Sequence, residues 1–351
     1  MAQSISITGG SALIGSPIEV SVQAETIGVK AVFHRVKLII SAALSTDDAA
    51  EVFTLSAPVT DGEAHVFDIS DVLRTVANRF KFSPVLSEKE YPYLVYSLSA
   101  YDEYMYDGIL MEKVGERVYG STLYALMGSF TDEERYLSSG SKEVTGFTRK
   151  PLTGEVCSKQ ETIVFPSELS SPILPASAIQ NGPVVNTLSL SGKSGLISVG
   201  GRKIYVDDKA ENRIEFQFVN GLGVVESISA ETLESVESSG TTEFVSVTAA
   251  SRFSGVNRLS AKKSGRQIKY KASTGYISLD WARWWHNEFF STDNFRETLS
   301  ERCWIKLDGN WYPCIPTLDD DSTIYDKKEK SMIKIDFTVY LGLEGLIAPR
   351  L

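Results

Sequence analysis

Apolar and polar residues alternate with period two along much of the chain. In Ser16–Ala24, Ile18, Val20 and Val22 recur at every second position, which predicts a half-buried strand. Arg213–Phe218 repeats the pattern with Ile214, Phe216 and Phe218 inward, and Ala31–Ala42 is more continuously apolar, as expected of a central strand. Further strands are predicted at Lys159–Phe165, Thr187–Ser191, Gly195–Val199, Lys203–Val206, Val224–Ile228, Phe244–Ala249, Gln267–Ala272 and Met332–Tyr340. The clearest unit is Cys303–Cys314. Its Asp308-Gly309 dipeptide suits a type I′ turn, because both residues must tolerate φ > 0. Folding there pairs Leu307 with Asn310, Lys306 with Trp311, Ile305 with Tyr312, Trp304 with Pro313 and Cys303 with Cys314. Asp61-Gly62 predicts a second hairpin, joining Glu51–Ala57 to Ala64–Asp68. Asp107-Gly108 predicts a third, with Asp102 opposite Lys113 as a cross-strand charge pair.

Two segments change period. In Asp71–Phe80 the residues Val72, Leu73, Val76 and Phe80 share one side, with Ser70 as N-cap and Asp71 complementing the dipole. In Leu279–Phe290, Trp281, Trp285 and Phe289 are four apart, with Trp284 beside them. Two readings are open: an amphipathic helix sealing a sheet, or an aromatic ligand platform of Trp281, Trp284 and Trp285. Pro172, Pro175 and Pro183, with Asn181-Gly182, mark a linker over 172–183. The expectation is a mostly β protein of two antiparallel β-sandwich or barrel-like domains, 1–171 and 184–351, each with one short docked helix.

Length and composition fit this picture: 351 residues, 42% apolar and 23% charged, leave room for two cores and argue against disorder. The net charge of -10 disfavours wholesale binding to nucleic acid or anionic membrane. That charge is uneven. Between Glu243 and Asp280 stand Arg252, Arg258, Lys262, Lys263, Arg266, Lys269 and Lys271 with no acidic residue, so removing these seven charges leaves -17 on the remainder. Such a block reads as a lysine-guarded edge strand, as a contact for an acidic neighbouring subunit, or as a nucleic-acid site short of stacking aromatics. The longest apolar stretch, Val36–Leu44, is interrupted by Lys37 and Ser41 and is well short of the roughly 20 residues of a membrane span. Met1–Ile7 has neither the basic start nor the apolar run of a secretory signal. Synthesis in the cytoplasm is expected; Cys303 and Cys314 face each other at a spacing compatible with a disulfide, and in a reducing compartment two thiols packed side by side are expected.

Chemistry-bearing motifs are sparse. His34, His65 and His286 are far apart and fit no zinc or protease spacing, and His34 reads as a partnered core histidine. Gly192-Lys193-Ser194 resembles the tail of a phosphate-binding loop, but Thr187 stands where the loop needs glycine. Gly221-Leu222-Gly223 lacks the third glycine of a dinucleotide loop. Asp47-Asp48, Asp207-Asp208 and Asp319–Asp321 fit no calcium loop. No catalytic residue, cofactor or metal is expected, although 45 acidic residues leave a two-carboxylate glycoside hydrolase open.

Four segments in order, Phe67–Leu73, Tyr124–Phe130, Arg213–Gly223 and Leu307–Pro313, resemble virion structural proteins of tailed phages and prophages of Bacteroidetes. The resemblance spans most of the chain and implies a non-enzymatic tail or baseplate component. It also implies that copies associate with one another and with other virion proteins, and that the chain ends in the virion. Capsid decoration or a neck position, and a receptor- or glycan-binding module using the tryptophans, are the alternatives.

Overall fold

The computed structural model describes residues 5–10, 13–28, 31–44, 49–79, 84–85, 89–90, 94–106, 110–131, 134, 147–166, 184–209, 213–248, 257–290, 302–319 and 332–341. For some of these, chiefly 233–248 and 257–268, it describes the backbone alone. The chain is mostly β, arranged in antiparallel sheets that include a closed six-stranded barrel.

Two sheets organise the first part. Ile5–Gly10 (β1), Ile18–Gln23 (β2) and Ala64–Asp68 (β5) form one, in the order β1-β2-β5. Ala31–Ala43 (β3), Glu51–Pro58 (β4), Leu94–Tyr106 (β7), Leu110–Val118 (β8) and Leu123–Ala125 (β9) form the other, in the order β4-β3-β7-β8 with β9 also on β7. The inward residues are those the alternation selects: Ile18, Val20 and Val22 from β2, and Val36, Leu38 and Ile40 from β3, all fully buried. Ser70–Ala77 (α1) docks Leu73, Val76 and Ala77 on this core. Its start differs from the sequence reading. Ser70 is the first helical residue, and the Asp68 carboxylate receives the Ser70 N–H at 3.0 Å and the Ile18 N–H at 3.1 Å.

The two weaker hairpin expectations need correction. β4 pairs with β3 and β5 with β2, so the strands flanking Asp61-Gly62 belong to different sheets. Gly62 has φ 72°, but its N–H goes to the Glu25 carbonyl at 3.2 Å, and the Asp61 carboxylate takes the Gly28 N–H at 2.6 Å. The turn moves the chain between layers, because Phe67 must share the buried face of Val20 and Val22. In β7–β8, Tyr106 pairs with Leu110, so the loop is one residue longer than a two-residue turn. Lys113 therefore faces Glu103, and Asp102 faces Val114. A one-residue slip sends a side chain to the opposite face, and Asp102 is fully buried.

Short strands link the two parts. Glu155–Ser158 (β10), Gly195–Val199 (β13) and Arg202–Asp207 (β14) form a sheet in which β10 and β14 run parallel. Thr162–Pro166 (β11), Val184–Ser189 (β12) and Lys89–Glu90 (β6) form another. The linker predicted at 172–183 lies outside the described residues.

The barrel runs β15-β16-β17-β20-β19-β18 through Arg213–Val219 (β15), Val225–Thr248 (β16), Asn257–Ile277 (β17), Cys303–Leu307 (β18), Asn310–Leu318 (β19) and Ile333–Leu341 (β20). It closes where Phe216 pairs with Ile305. The β18–β19 turn has φ 48° at Asp308 and 79° at Gly309, and its register from Trp304↔Pro313 to Leu307↔Asn310 is the one predicted. Cys303 and Cys314 are buried free thiols, their Sγ atoms 3.6 Å apart. The barrel has its own aromatic core, but Val219, Leu222, Val224, Val225 and Trp304 pack into the core of the first part.

Candidate functional site

The helix Leu279–Trp284 (α2) starts at Ser278, whose hydroxyl accepts the Trp281 N–H at 3.4 Å, and continues as a π-helical turn over Trp285–Phe290. It seals the barrel. Trp281, Trp284 and Trp285 are 3%, 4% and 2% exposed, so the ligand platform is replaced by a packed core. Their rings meet edge-on: Trp281 with Trp284 at 5.3 Å, Trp284 with Phe218 at 5.8 Å and Trp285 with Phe289 at 4.8 Å. The physical reason is area: burying an indole in a closed barrel removes far more apolar surface from water than leaving it on a face. The Trp281 Nε1–H donates to the Thr153 carbonyl at 2.7 Å, which satisfies its polar edge.

Beside this helix is a cavity of about 110 Å³, lined in part by Trp281, Trp285, Tyr276, Arg213, Glu155 and Glu231. Behind its wall is a charge network not apparent from sequence spacing. Lys150 Nζ donates to Glu155 at 2.9 Å and to the Ser227 carbonyl, and lies 5.4 Å from the Trp284 ring. Arg202 donates to the other Glu155 oxygen at 2.8 Å. Burial pushes Glu155 up, but Lys150 and Arg202 outweigh it and hold the carboxylate below its usual range. Glu226, also fully buried, is raised: burial dominates, and Lys150 and Arg202 only partly oppose it. Its oxygens accept from Thr148 at 2.8 Å and from the Asn220 amide at 3.2 Å.

Two carboxylates pushed in opposite directions are the signature of an acid–base pair. Here, however, Glu155 lines the cavity and Glu226 does not. The network instead fastens elements together. Arg149 forks onto Glu134 at 2.8 and 2.7 Å and reaches Glu288 at 2.8 Å, while Glu288 accepts the Gly221 N–H at 2.7 Å. Burial lowers the Arg149 guanidinium pKa, but Glu288 and Glu134 more than reverse this.

In the first part, His34 lies between two carboxylates, with Nδ1 3.0 Å from Asp61 and Nε2 3.2 Å from Asp102. Asp102 also accepts from Arg117 at 2.8 Å and from the Glu25 N–H. His34 is thus a partnered interior histidine, as its apolar strand suggested.

The basic segment maps onto β17. Arg252 lies outside the described residues, whereas Arg258, Lys262, Lys263 and Arg266 are on the β17 backbone between residues 257 and 268. Lys269 is half-buried with Nζ 5.1 Å from the Tyr340 ring, and Lys271 is exposed. The two residues nearest the barrel are therefore separated from the four farther out. Among the described residues, β15 accompanies β16 from Val225 to Glu231, and β20 accompanies β17 from Lys269 to Ile277. Beyond Glu237↔Lys269 the two strands pair with each other, from Ser238↔Ile268 to Thr248↔Asn257, with a bulge opposite Glu243/Phe244. Among the described residues this stretch is a two-stranded ribbon leaving the barrel. The predicted strands reach only part of it, Phe244–Ala249 covering its outer β16 residues and Gln267–Ala272 overlapping it at Gln267 and Ile268 alone, because its small and polar residues weaken the alternation.

Among the described residues no helix is long and apolar enough to cross a membrane. Comparison with protein-family models, with curated proteins and with solved structures returns no match.

Proposed function

We propose that the chain is a non-enzymatic structural component of a bacteriophage particle, of the tail or baseplate, acting through repeated contacts between subunits. The β16–β17 ribbon carries this reading. A closed barrel has no edge strands of its own to offer a neighbour, so within the barrel unit the ribbon that leaves it is the part suited to contact. The Arg149–Glu288 ion pair and the Lys150 hydrogen bond to the Ser227 carbonyl tie the 147–155 segment to the barrel, and Arg202 on Glu155 ties it to β14, which favours a rigid body. The burial of Trp281, Trp284 and Trp285 withdraws the one feature that favoured a glycan-binding module.

The test is location. Gradient-purified particles from a producing strain are expected to contain the chain by mass spectrometry, and a gold-labelled antibody is expected to mark the tail end. A chain abundant in the lysate but missing from purified particles would overturn the assignment.

A further inference from the structure

We propose that the β16–β17 ribbon is an assembly arm that docks on the acidic body of a second copy of this chain, head to tail. The inference rests on the virion reading and names the partner within it. Its first support is the register. Among the described residues, from Ser238↔Ile268 outward each strand has only the other as neighbour, and no described strand covers either outer edge of the ribbon. The 11 residues of β16 in this stretch extend roughly 35 Å at about 3.3 Å each. A two-stranded ribbon of that length is marginal in water unless something packs on it.

Charge selects what packs there. Residues 238–248 and 257–268 hold Glu243 against Arg258, Lys262, Lys263 and Arg266, a net +3. With -10 overall, the rest of the chain carries -13. A two-fold pairing of ribbon on ribbon would set basic against basic, whereas ribbon on acidic body is attractive. The contact is therefore heterologous, the kind that builds a ring or a filament. Edge lysines also protect a lone ribbon from indiscriminate strand pairing. That reconciles the two leading readings of the basic segment: it guards the free chain and engages the assembled one.

The experiment mixes equal amounts of unlabelled and ¹⁵N-labelled full-length chain and applies a zero-length carbodiimide cross-linker. Expected are mixed-isotope cross-links from Lys262 or Lys263 to Asp or Glu outside the ribbon. Sedimentation velocity is expected to show self-association that weakens by tenfold or more in about 0.5 M salt. The variant Arg258→Glu/Lys262→Glu/Lys263→Glu/Arg266→Glu is expected to lose association by at least tenfold. A second variant joins Glu237 to Lys269 through Asn-Gly, keeping the barrel pairing. It is expected to be monomeric with the parent's melting temperature. A chain that stays monomeric at every concentration and salt overturns the arm. So does association that survives both variants, or ribbon-dependent capture of duplex DNA without mixed cross-links. Presence in particles with failed ribbon tests refutes the arm alone; ribbon-linked copies absent from particles refute the virion reading alone.

Discussion

Glu226 is buried at no measurable exposure and keeps its proton more firmly than a free glutamic acid, since burial outweighs the pull of Lys150 and Arg202. The consequence for stability has a definite sign. Below the ordinary value of 4.5 both folded and unfolded chains hold this proton. As pH rises, the unfolded chain releases it first, so Glu226 subtracts stability until the folded value is passed. Glu155 works the other way. Its lowered value contributes stability above 4.5 that is lost as pH falls. The difference between wild type and Glu226→Gln isolates the first effect. Urea midpoints measured from about pH 4 to pH 7 are expected to favour the variant increasingly as pH rises. A gap that does not widen with pH would mean that Glu226 is ionised in the fold. Neither role is legible from the residue's neighbours in sequence, because its partners lie at positions 148 and 220 and the charges that act on it at 150 and 202.

Two turns approach each other closely, main chain on main chain. A Cβ on Gly128 would stand 2.5 Å from Leu222 Cα, and one on Gly223, at φ +81°, would stand 2.6 Å from the Met127 carbonyl carbon. Ser129 N–H donates to the Gly221 carbonyl at 2.9 Å, and Asn220 Oδ1 accepts from Leu222 and Val224, both at 3.0 Å. Two of the segments that carried the virion resemblance, Tyr124–Phe130 and Arg213–Gly223, thus meet backbone to backbone. Gly128→Ala is expected to cost about 1–3 kcal/mol, since only main chain can yield there. Gly309→Ala, with nothing within 4 Å of its added Cβ, is the control, and its φ of 79° should cost about 1 kcal/mol. Equal urea midpoints for Gly128→Ala and wild type would remove the close approach. What the sequence discloses at this scale is local. Asp308-Gly309 predicts its hairpin and register because turn and strands agree. Asp61-Gly62 has the same chemistry but misleads, because β4 and β5 each find a better-matched sheet. Loop length over 107–109 is equally invisible, and one residue there decides whether Asp102 meets Lys113 or the interior. The aromatic helix was legible as an element. Whether its indoles faced a ligand or a core depended on the barrel closing around them, a long-range fact.

Across the whole molecule, the barrel and the first sheets are not separated by the proline-rich segment in the way their patterns suggest. Val219, Leu222, Val224, Val225 and Trp304 are buried in the core built by β2, β3, β7 and α1, although all lie beyond residue 183. Full burial of such a side chain contributes about 1.5–3 kcal/mol, so losing five removes on the order of 10 kcal/mol. A domain's net stability is only about 5–15 kcal/mol. The fragment 1–171 also loses Glu226, which accepts from Thr148, and Glu288, one of the two carboxylates on Arg149. It is therefore expected to show no cooperative urea transition and to aggregate, whereas the full chain melts with both cores coupled. A fragment that unfolds sharply at the parent's midpoint would mean that the first core closes without the barrel's help. If the coupling holds, force applied at the ribbon passes through β16 into the β15–β16 turn at Asn220–Val224 and from there into the first core. An assembly arm with that anchorage pulls on the whole protein instead of on one barrel.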